Sequence, residues 1–95
     1  MKTAKKVEII TGSIEFKYII KVFSENKIAY TAITNISGQG AHGEKSSDEI
    51  FGILKNSYLI STCNEQEWDK IKEDVRRVIK TYGGVCMLTD VEVFA

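Results

Sequence analysis

The order of secondary-structure patterns constrains this chain most, because a strand, helix, strand series occurs twice along it. In the first half, the spacing of apolar residues predicts a strand at 5–11, a helix at 14–26 and a strand at 28–36. In the second half it predicts a strand at 57–63, a helix from Asn64 to the Gly83-Gly84 pair, and a strand at 85–94. A long loop, 37–54, joins the halves. This order is typical of two βαβ-like units placed end to end.

The predicted helix starts rest on local capping signals. Gly12-Ser13 supplies a turn and a candidate N-cap for the first helix, and Asn64 with Glu67 forms an Asn variant of the capping box for the second. Apolar residues recur at helical spacing in both helices: Phe16, Ile19, Ile20 and Phe23, then Trp68, Ile71, Val75, Val78, Ile79 and Tyr82. Trp68 and Tyr82 are therefore expected in the core.

At 95 residues the chain is expected to form one domain, 1–95. The economical solution is an α+β ferredoxin-like βαββαβ sandwich: a four-stranded antiparallel sheet, two helices on one face, and the long loop between strands 2 and 3. Apolar residues occur on both parities of the strands: Val7 and Ile9 against Ile10, and Leu59 against Tyr58 and Ile60. Since a monomer would expose one of these sets, we expect self-association through the helix-free face, in a closed cyclic assembly.

The loop 37–54 is the expected functional segment. A compact domain seldom keeps a loop longer than roughly 12–15 residues unless the loop binds something or is disordered. Its first half holds three glycines and the only histidine of the chain, His42, which suits a backbone that approaches an anion closely. Its second half holds Ile50, Phe51, Ile53 and Leu54, which need a surface of this domain or of a partner.

Composition excludes several classes. The formal net charge is zero, so nucleic acid is not an expected partner. No apolar run approaches the ~20 residues of a membrane span, and the lysine-rich start leads into a strand, so we expect a cytoplasmic protein without membrane insertion. Cys63 and Cys86 are isolated and are expected to be reduced, partly buried thiols. The sequence has no P-loop, no Ser/His/Asp arrangement and no second histidine, so an enzyme is not expected.

Several of these features together resemble the PII signal-transduction superfamily. They are Ala29-Tyr30-Thr31 at the second strand, Gly38-Gln39-Gly40 after it, the long loop, the second βα unit and the Gly83-Gly84 turn. The nearest relatives resemble the PII-like SbtB and carboxysome-associated types. The resemblance implies a homotrimer of ferredoxin-like subunits that binds a nucleotide between neighbouring subunits. It also implies that the long loop, the T-loop, reports the ligand state to a membrane transporter or an enzyme, in inorganic-carbon or nitrogen metabolism.

The resemblance assigns site residues by position. Nucleotide contacts fall to Thr31, to Gly38, Gln39 and Gly40 at the loop base, and to Gly83 and Gly84 at the turn before the last strand, the B-loop. Glycine-permitted backbone N–H groups can bind an anion without a basic side chain. The partner-binding part of the loop is expected to include His42, Glu44, Ile50 and Phe51.

The sequence departs from true PII proteins in its cationic residues. No basic residue lies near Gly38 and Gly40 before Lys45, and no arginine-bearing segment follows the last strand. AMP, ADP or cyclic AMP is therefore expected in preference to ATP, without a metal ion. Two other classes remain open. One is a CutA-like trimeric metal-binding protein, with His42 among the ligands; the other is a small dimeric ferredoxin-like enzyme in which His42 reacts.

Overall fold

The structure, a computed structural model, describes residues 2–37 and 55–95, and its sheet confirms the ferredoxin-like fold. The elements are β1 (Lys2–Gly12), α1 (Phe16–Glu25), β2 (Thr31–Ile36), β3 (Asn56–Cys63), α2 (Glu65–Tyr82) and β4 (Val85–Val93). The strands lie in the order β2-β3-β1-β4, and each neighbouring pair is antiparallel. β2 and β4 are therefore the edge strands of the part of the sheet that the structure describes.

The core lies between the two helices and one face of the sheet. Alternate residues of β1 and β3 point into it because successive strand side chains face opposite sides. The buried apolar residues are Val7, Ile9, Phe16, Ile19, Phe23, Ile28, Leu59, Cys63, Ile71 and Val75. Neither of the two described helices covers the other face, and there Ile10 is paired with Tyr58 on one side and Val85 on the other. The predicted two-sided apolar alternation thus corresponds to one covered face and one open face.

The two predicted helix caps have different outcomes. The capping box of α2 is confirmed: the Glu67 N–H donates to Asn64 Oδ1 at 2.7 Å, and the Asn64 N–H donates to Glu67 Oε1 at 2.8 Å. The Ser13 cap is wrong, because α1 begins at Phe16 with Glu15 as N-cap and no side-chain cap. The Ser13 hydroxyl instead shares a hydrogen bond with the Ser57 hydroxyl.

Long-range pairing also shifts two strand boundaries. β1 begins at Lys2 rather than at residue 5, because the pairing of β1 with β4 continues to Lys2 opposite Val93. β2 begins at Thr31 rather than at Ile28. Ile28 is a buried core residue whose N–H donates to the Phe23 carbonyl, so the residues before Thr31 close off α1 instead of extending the sheet.

The two aromatic residues expected in the core differ. Trp68 is half-buried and packs against the core, as expected. The expectation for Tyr82 is wrong, since 45% of it is exposed. Its ring stacks on that of Tyr18, with centroids 4.7 Å apart, because the end of α2 lies beside the start of α1.

The Gly83-Gly84 pair ends α2 and starts β4, as predicted. The Gly83 N–H donates to the Ile79 carbonyl at 2.8 Å, and both glycines have positive φ, +89° and +118°. A Cβ on Gly84 would lie 2.5 Å from the Ile10 carbonyl oxygen, whereas a Cβ on Gly83 would have no atom within 4 Å. Gly84 is therefore required both for its backbone conformation and for its close approach to β1.

We predict that Gly84→Ala destabilises the protein more than Gly83→Ala. Both introduce a side chain at a φ that L-residues disfavour, a strain of about 1–3 kcal/mol, and Gly84→Ala adds a clash with the backbone of β1. Urea unfolding should give Gly84→Ala the smaller free energy of unfolding by at least ~1 kcal/mol. Equal stability of the two variants would contradict this account of the turn.

Candidate functional site

One end of the sheet gathers the segments that the sequence singled out. Gly12 and Ile36 are both paired with Asn56, and Val85 is paired with Ile10. The ends of β1 and β2 and the starts of β3 and β4 therefore lie together. We call this the loop end of the sheet, because both ends of the long loop and the Gly83-Gly84 turn meet it.

The Ser57 hydroxyl is the centre of a hydrogen-bond network at the loop end. It shares a hydrogen bond of 2.7 Å with the Ser13 hydroxyl and accepts the Asn35 N–H at 3.2 Å. The Ser13 N–H in turn donates to the Lys55 carbonyl at 2.6 Å. The residues that lead into and out of the long loop are thus held to β3 and to the turn after β1.

Thr11 makes a second polar contact at the loop end. Its hydroxyl donates to the Gly83 carbonyl at 2.9 Å, and Thr11 and Ser57 are each only 1% exposed. Sequence reasoning missed both. The signal was their parity, since Thr11 follows Val7 and Ile9 on the inward face and Ser57 precedes Leu59 on the same face. A hydroxyl at such a position needs a hydrogen-bond partner, so it marks a point where the chain is fixed.

The predicted nucleotide residues are divided between the two edges of the sheet. Thr31 begins β2, is exposed, and is paired with Ile60, while Gly83 and Gly84 precede β4. Three inter-strand spacings separate the edge strands, which is about 14 Å. A single chain therefore does not bring Thr31 and the glycine turn together. The Gly83 N–H is already donated to Ile79, so Gly84 is the member of the pair whose N–H is the candidate anion donor.

The remaining predicted residues lie outside the described residues. These are Gly38, Gln39 and Gly40 of the expected nucleotide site and His42, Glu44, Ile50 and Phe51 of the expected partner-binding loop.

The open face of the sheet combines apolar surface with a small polar cluster. Ile33, Val85 and Met87 are exposed by 55%, 44% and 43%. Beside them the Tyr58 hydroxyl donates to Glu8 Oε2 at 2.8 Å, and this hydrogen bond raises the pKa of Tyr58. The Tyr58–Glu8 pair is therefore a polar group within a face that is otherwise suited to contact with an apolar surface.

A groove of about 590 Å³ runs between α2 and β4 on the helix side of the sheet. Its lining residues are Trp68, Lys72, Val75, Arg76, Ile79, Lys80, Cys86 and Leu88. Of the predicted nucleotide residues that the structure describes, neither Thr31 nor the Gly83-Gly84 turn lines it. Lys72 and Arg76 make ion pairs with Asp69 and Glu73 on the same helix.

Both cysteines are free, and burial raises the pKa of each thiol, that of Cys86 to about 11. Cys86 is half-buried as expected, whereas Cys63 is fully buried, 2% exposed. Within residues 2–37 and 55–95, no group of three or more His, Cys, Asp or Glu side chains is placed to hold a metal ion. Neither helix of the described chain combines the length and apolarity needed to cross a membrane.

The antiparallel β2-β3-β1-β4 sheet with its two helices defines a ferredoxin-like α+β protein. Within that class the chain belongs to the nitrogen regulatory protein P-II family, because the model of this family matches residues 4–95. The predicted PII-like resemblance is confirmed. A sequence comparison with curated proteins finds no match.

Solved structures of PII-like proteins share the fold. CPII from Thiomonas intermedia K12, a nitrogen regulatory PII-like protein bound to ADP, AMP and bicarbonate, superposes with a TM-score of 0.79 at 23% identity over 97% of this chain and 89% of that one. The apo form of CPII gives 0.75 at 18% identity over 97% and 92%. A PII-like signalling protein from Thermus thermophilus gives 0.67 at 19% identity over 94% and 86%.

We predict that Cys86 adds an alkaline dependence to stability. Its pKa is about 11 in the folded protein and 9.0 for an ordinary thiol, so the thiol stabilises the fold below pH 9 and this contribution is lost as the pH rises towards 11. Unfolding measured between pH 8 and 11 should show a shallower loss of stability for Cys86→Ala than for the wild type. Parallel curves for the two proteins would contradict the buried thiol.

Proposed function

We propose that the protein is a PII-like regulator that binds an adenine nucleotide between subunits and signals through its long loop. Membership of the P-II family supports the regulatory role. The ADP and AMP bound to CPII, a protein with this fold, support an adenine nucleotide as ligand.

The observation that carries the proposal is the separation of Thr31 from the Gly83-Gly84 turn. They lie at opposite edge strands of one sheet, so a ligand that contacts both needs a second copy whose β2 edge approaches this copy's β4 edge. The exposed apolar residues of the open face support such an assembly, because burying them in a closed ring removes them from water. A homotrimer satisfies both requirements.

Within that interface, the phosphate groups would bind backbone N–H groups at Gly84 and at Gly38 and Gly40, beside Gln39. Gly83 would contribute to the site through its backbone conformation, which positions the Gly84 N–H. Thr31 of the neighbouring copy would supply a hydroxyl to the base or ribose. Because this set contains no cationic side chain, AMP, ADP or cyclic AMP is the proposed ligand in preference to ATP.

The loop would carry the signal. His42, Glu44, Ile50 and Phe51 are the proposed contacts to a transporter or an enzyme, in inorganic-carbon or nitrogen metabolism. A ligand at the loop base shifts the loop only through a difference in its affinity for the two loop states. Coupling free energies of about 1–3 kcal/mol are typical of such linkage.

The ligand is tested by isothermal titration of the wild type with AMP, ADP, cyclic AMP and ATP. We expect Thr31→Ala to weaken binding of the preferred nucleotide about tenfold, the cost of a lost hydrogen bond. Thr34→Ala is the matched control, because Thr34 is an exposed threonine of the same strand. A wild type that binds none of the four nucleotides would remove the proposed function.

The shared site is tested by mixing two variants that each bind the nucleotide weakly. Light scattering should give a mass of three 10.7 kDa chains for the wild type. Thr31→Ala and Gly40→Ala, each defective alone, should regain about a quarter of the tight sites when refolded together, because random trimers pair an intact half from each variant at that frequency. No recovery in confirmed mixed trimers would place both residues in a single subunit's site.

The signalling role is tested by hydrogen exchange across residues 43–54. We expect exchange there to change at saturating nucleotide, and Phe51→Ala to keep the nucleotide affinity of the wild type, since Phe51 is assigned to the partner and not to the ligand. Identical exchange with and without ligand would remove the sensing mechanism even if nucleotide binding were confirmed.

A further inference from the structure

We propose that Ser57 is a positioning residue whose buried hydroxyl couples the glycine turn to both ends of the long loop. The proposal concerns the regulation of the site described above and rests on the proposed function for its consequence. The coupled groups are Gly83, Thr11, Ser13, Ser57, Asn35 and Lys55, which we call the relay.

The relay crosses all four strands at the loop end. Gly83, just before β4, accepts the Thr11 hydroxyl of β1. Thr11 is paired with Ser57 of β3, and residues directly opposite in an antiparallel pair have Cβ atoms about 4.5–5.5 Å apart. Ser57 in turn accepts the N–H of Asn35 near the end of β2. A displacement at one edge of the sheet therefore reaches the other edge through contacts and hydrogen bonds.

The Ser57 hydroxyl serves both loop ends at once. A hydroxyl offers one donor and two acceptor sites, and here it binds the Asn35 N–H and the Ser13 hydroxyl. Through Ser13 the contact extends to Lys55, whose carbonyl accepts the Ser13 N–H. Removing this one oxygen would release the start of the long loop directly, at Asn35, and the end of the loop indirectly, through Ser13 and Lys55.

The glycine turn lies close against β1. A Cβ on Gly84 would lie 2.5 Å from the Ile10 carbonyl oxygen and 2.9 Å from the Thr11 Cβ. Gly84 therefore lies directly beside the residues that begin the relay. A ligand that draws the Gly84 N–H towards β1 would displace Thr11.

Asn35 is a position at which the backbone at the end of β2 can change conformation. Its φ is +59°, in the left-handed region, and the pairing of β2 with β3 shifts register between Ile33 and Ile36. Asparagine adopts this region more readily than other non-glycine residues, and the hydrogen bond to Ser57 fixes the Asn35 N–H in it. Without this hydrogen bond, the end of β2 can return to regular pairing with β3.

The test compares Ser57→Ala with Ser61→Ala. Ser61 is a matched control, because it is a buried serine on the same face of β3 whose hydroxyl donates to the Ala29 carbonyl at the far end of the strand. Both variants should lose similar stability. Only Ser57→Ala should speed amide exchange at Ser13 and Asn35, by about fivefold, the equivalent of one neutral hydrogen bond.

A second variant separates coupling from local support. Thr11→Val keeps the shape of the side chain and removes the bond to the Gly83 carbonyl, which lies at the opposite edge of the sheet from Asn35. The relay predicts faster exchange at the Asn35 amide in Thr11→Val, and a smaller combined than summed effect in the double variant with Ser57→Ala. Faster exchange confined to residues near Gly83 would overturn the relay. Ser13→Ala replaces Ser57→Ala if that variant does not fold.

The effect of the variants on nucleotide affinity is measured separately. Ser57→Ala should lower adenine nucleotide affinity by about three- to tenfold, while Ser61→Ala stays within about twofold of the wild type. Equal affinity of Ser57→Ala and the wild type would overturn the positioning role. If the wild type bound no nucleotide, the proposed function would fail, and the exchange measurements without ligand would still decide whether the relay exists.

Discussion

The approach of Gly84 to the backbone of β1 is the constraint on which the rest of this structure depends. Because only a hydrogen fits between Gly84 and the Ile10 carbonyl, the chain can leave α2 and join β1 as a neighbouring strand within two residues. This two-residue connection between α2 and β4 fixes the register of β4, with Val85 opposite Ile10. The same connection brings the glycine turn to the end of the sheet where the long loop begins and ends.

Elements set by local spacing could be predicted from the sequence. The stripe of α2 and the capping box at Asn64 and Glu67 depend on residues three or four positions apart, so no tertiary contact was needed to recognise them. The Ser13 cap failed for the opposite reason. Its hydroxyl has a competing partner in Ser57, which lies 44 residues further along the chain. Tyr82 likewise keeps the helical spacing of a core residue but stacks on Tyr18 at the surface.

The candidate site shows the same division. The Gly83-Gly84 turn was predictable because two glycines after an amphipathic helix are a local signal. The network around Ser57 was not, since Asn35 and Ser13 lie 22 and 44 residues from it in the sequence. The only sequence signal for it was that Thr11 and Ser57 lie at inward-facing strand positions. That signal does not identify the residues to which their hydroxyls are hydrogen-bonded.

The strength of these contacts suits the regulatory role that we propose. Each neutral hydrogen bond contributes about 0.5–1.5 kcal/mol, so the few hydrogen bonds at the glycine turn and at the loop ends together amount to a free energy of the same order as a typical allosteric coupling, about 1–3 kcal/mol. Breaking a buried ion pair costs about 3–5 kcal/mol, which exceeds a typical coupling free energy. Hydrogen bonds between uncharged groups, such as those of Thr11, Ser13 and Ser57, are weak enough for a ligand to reverse, which suits the relay that we propose.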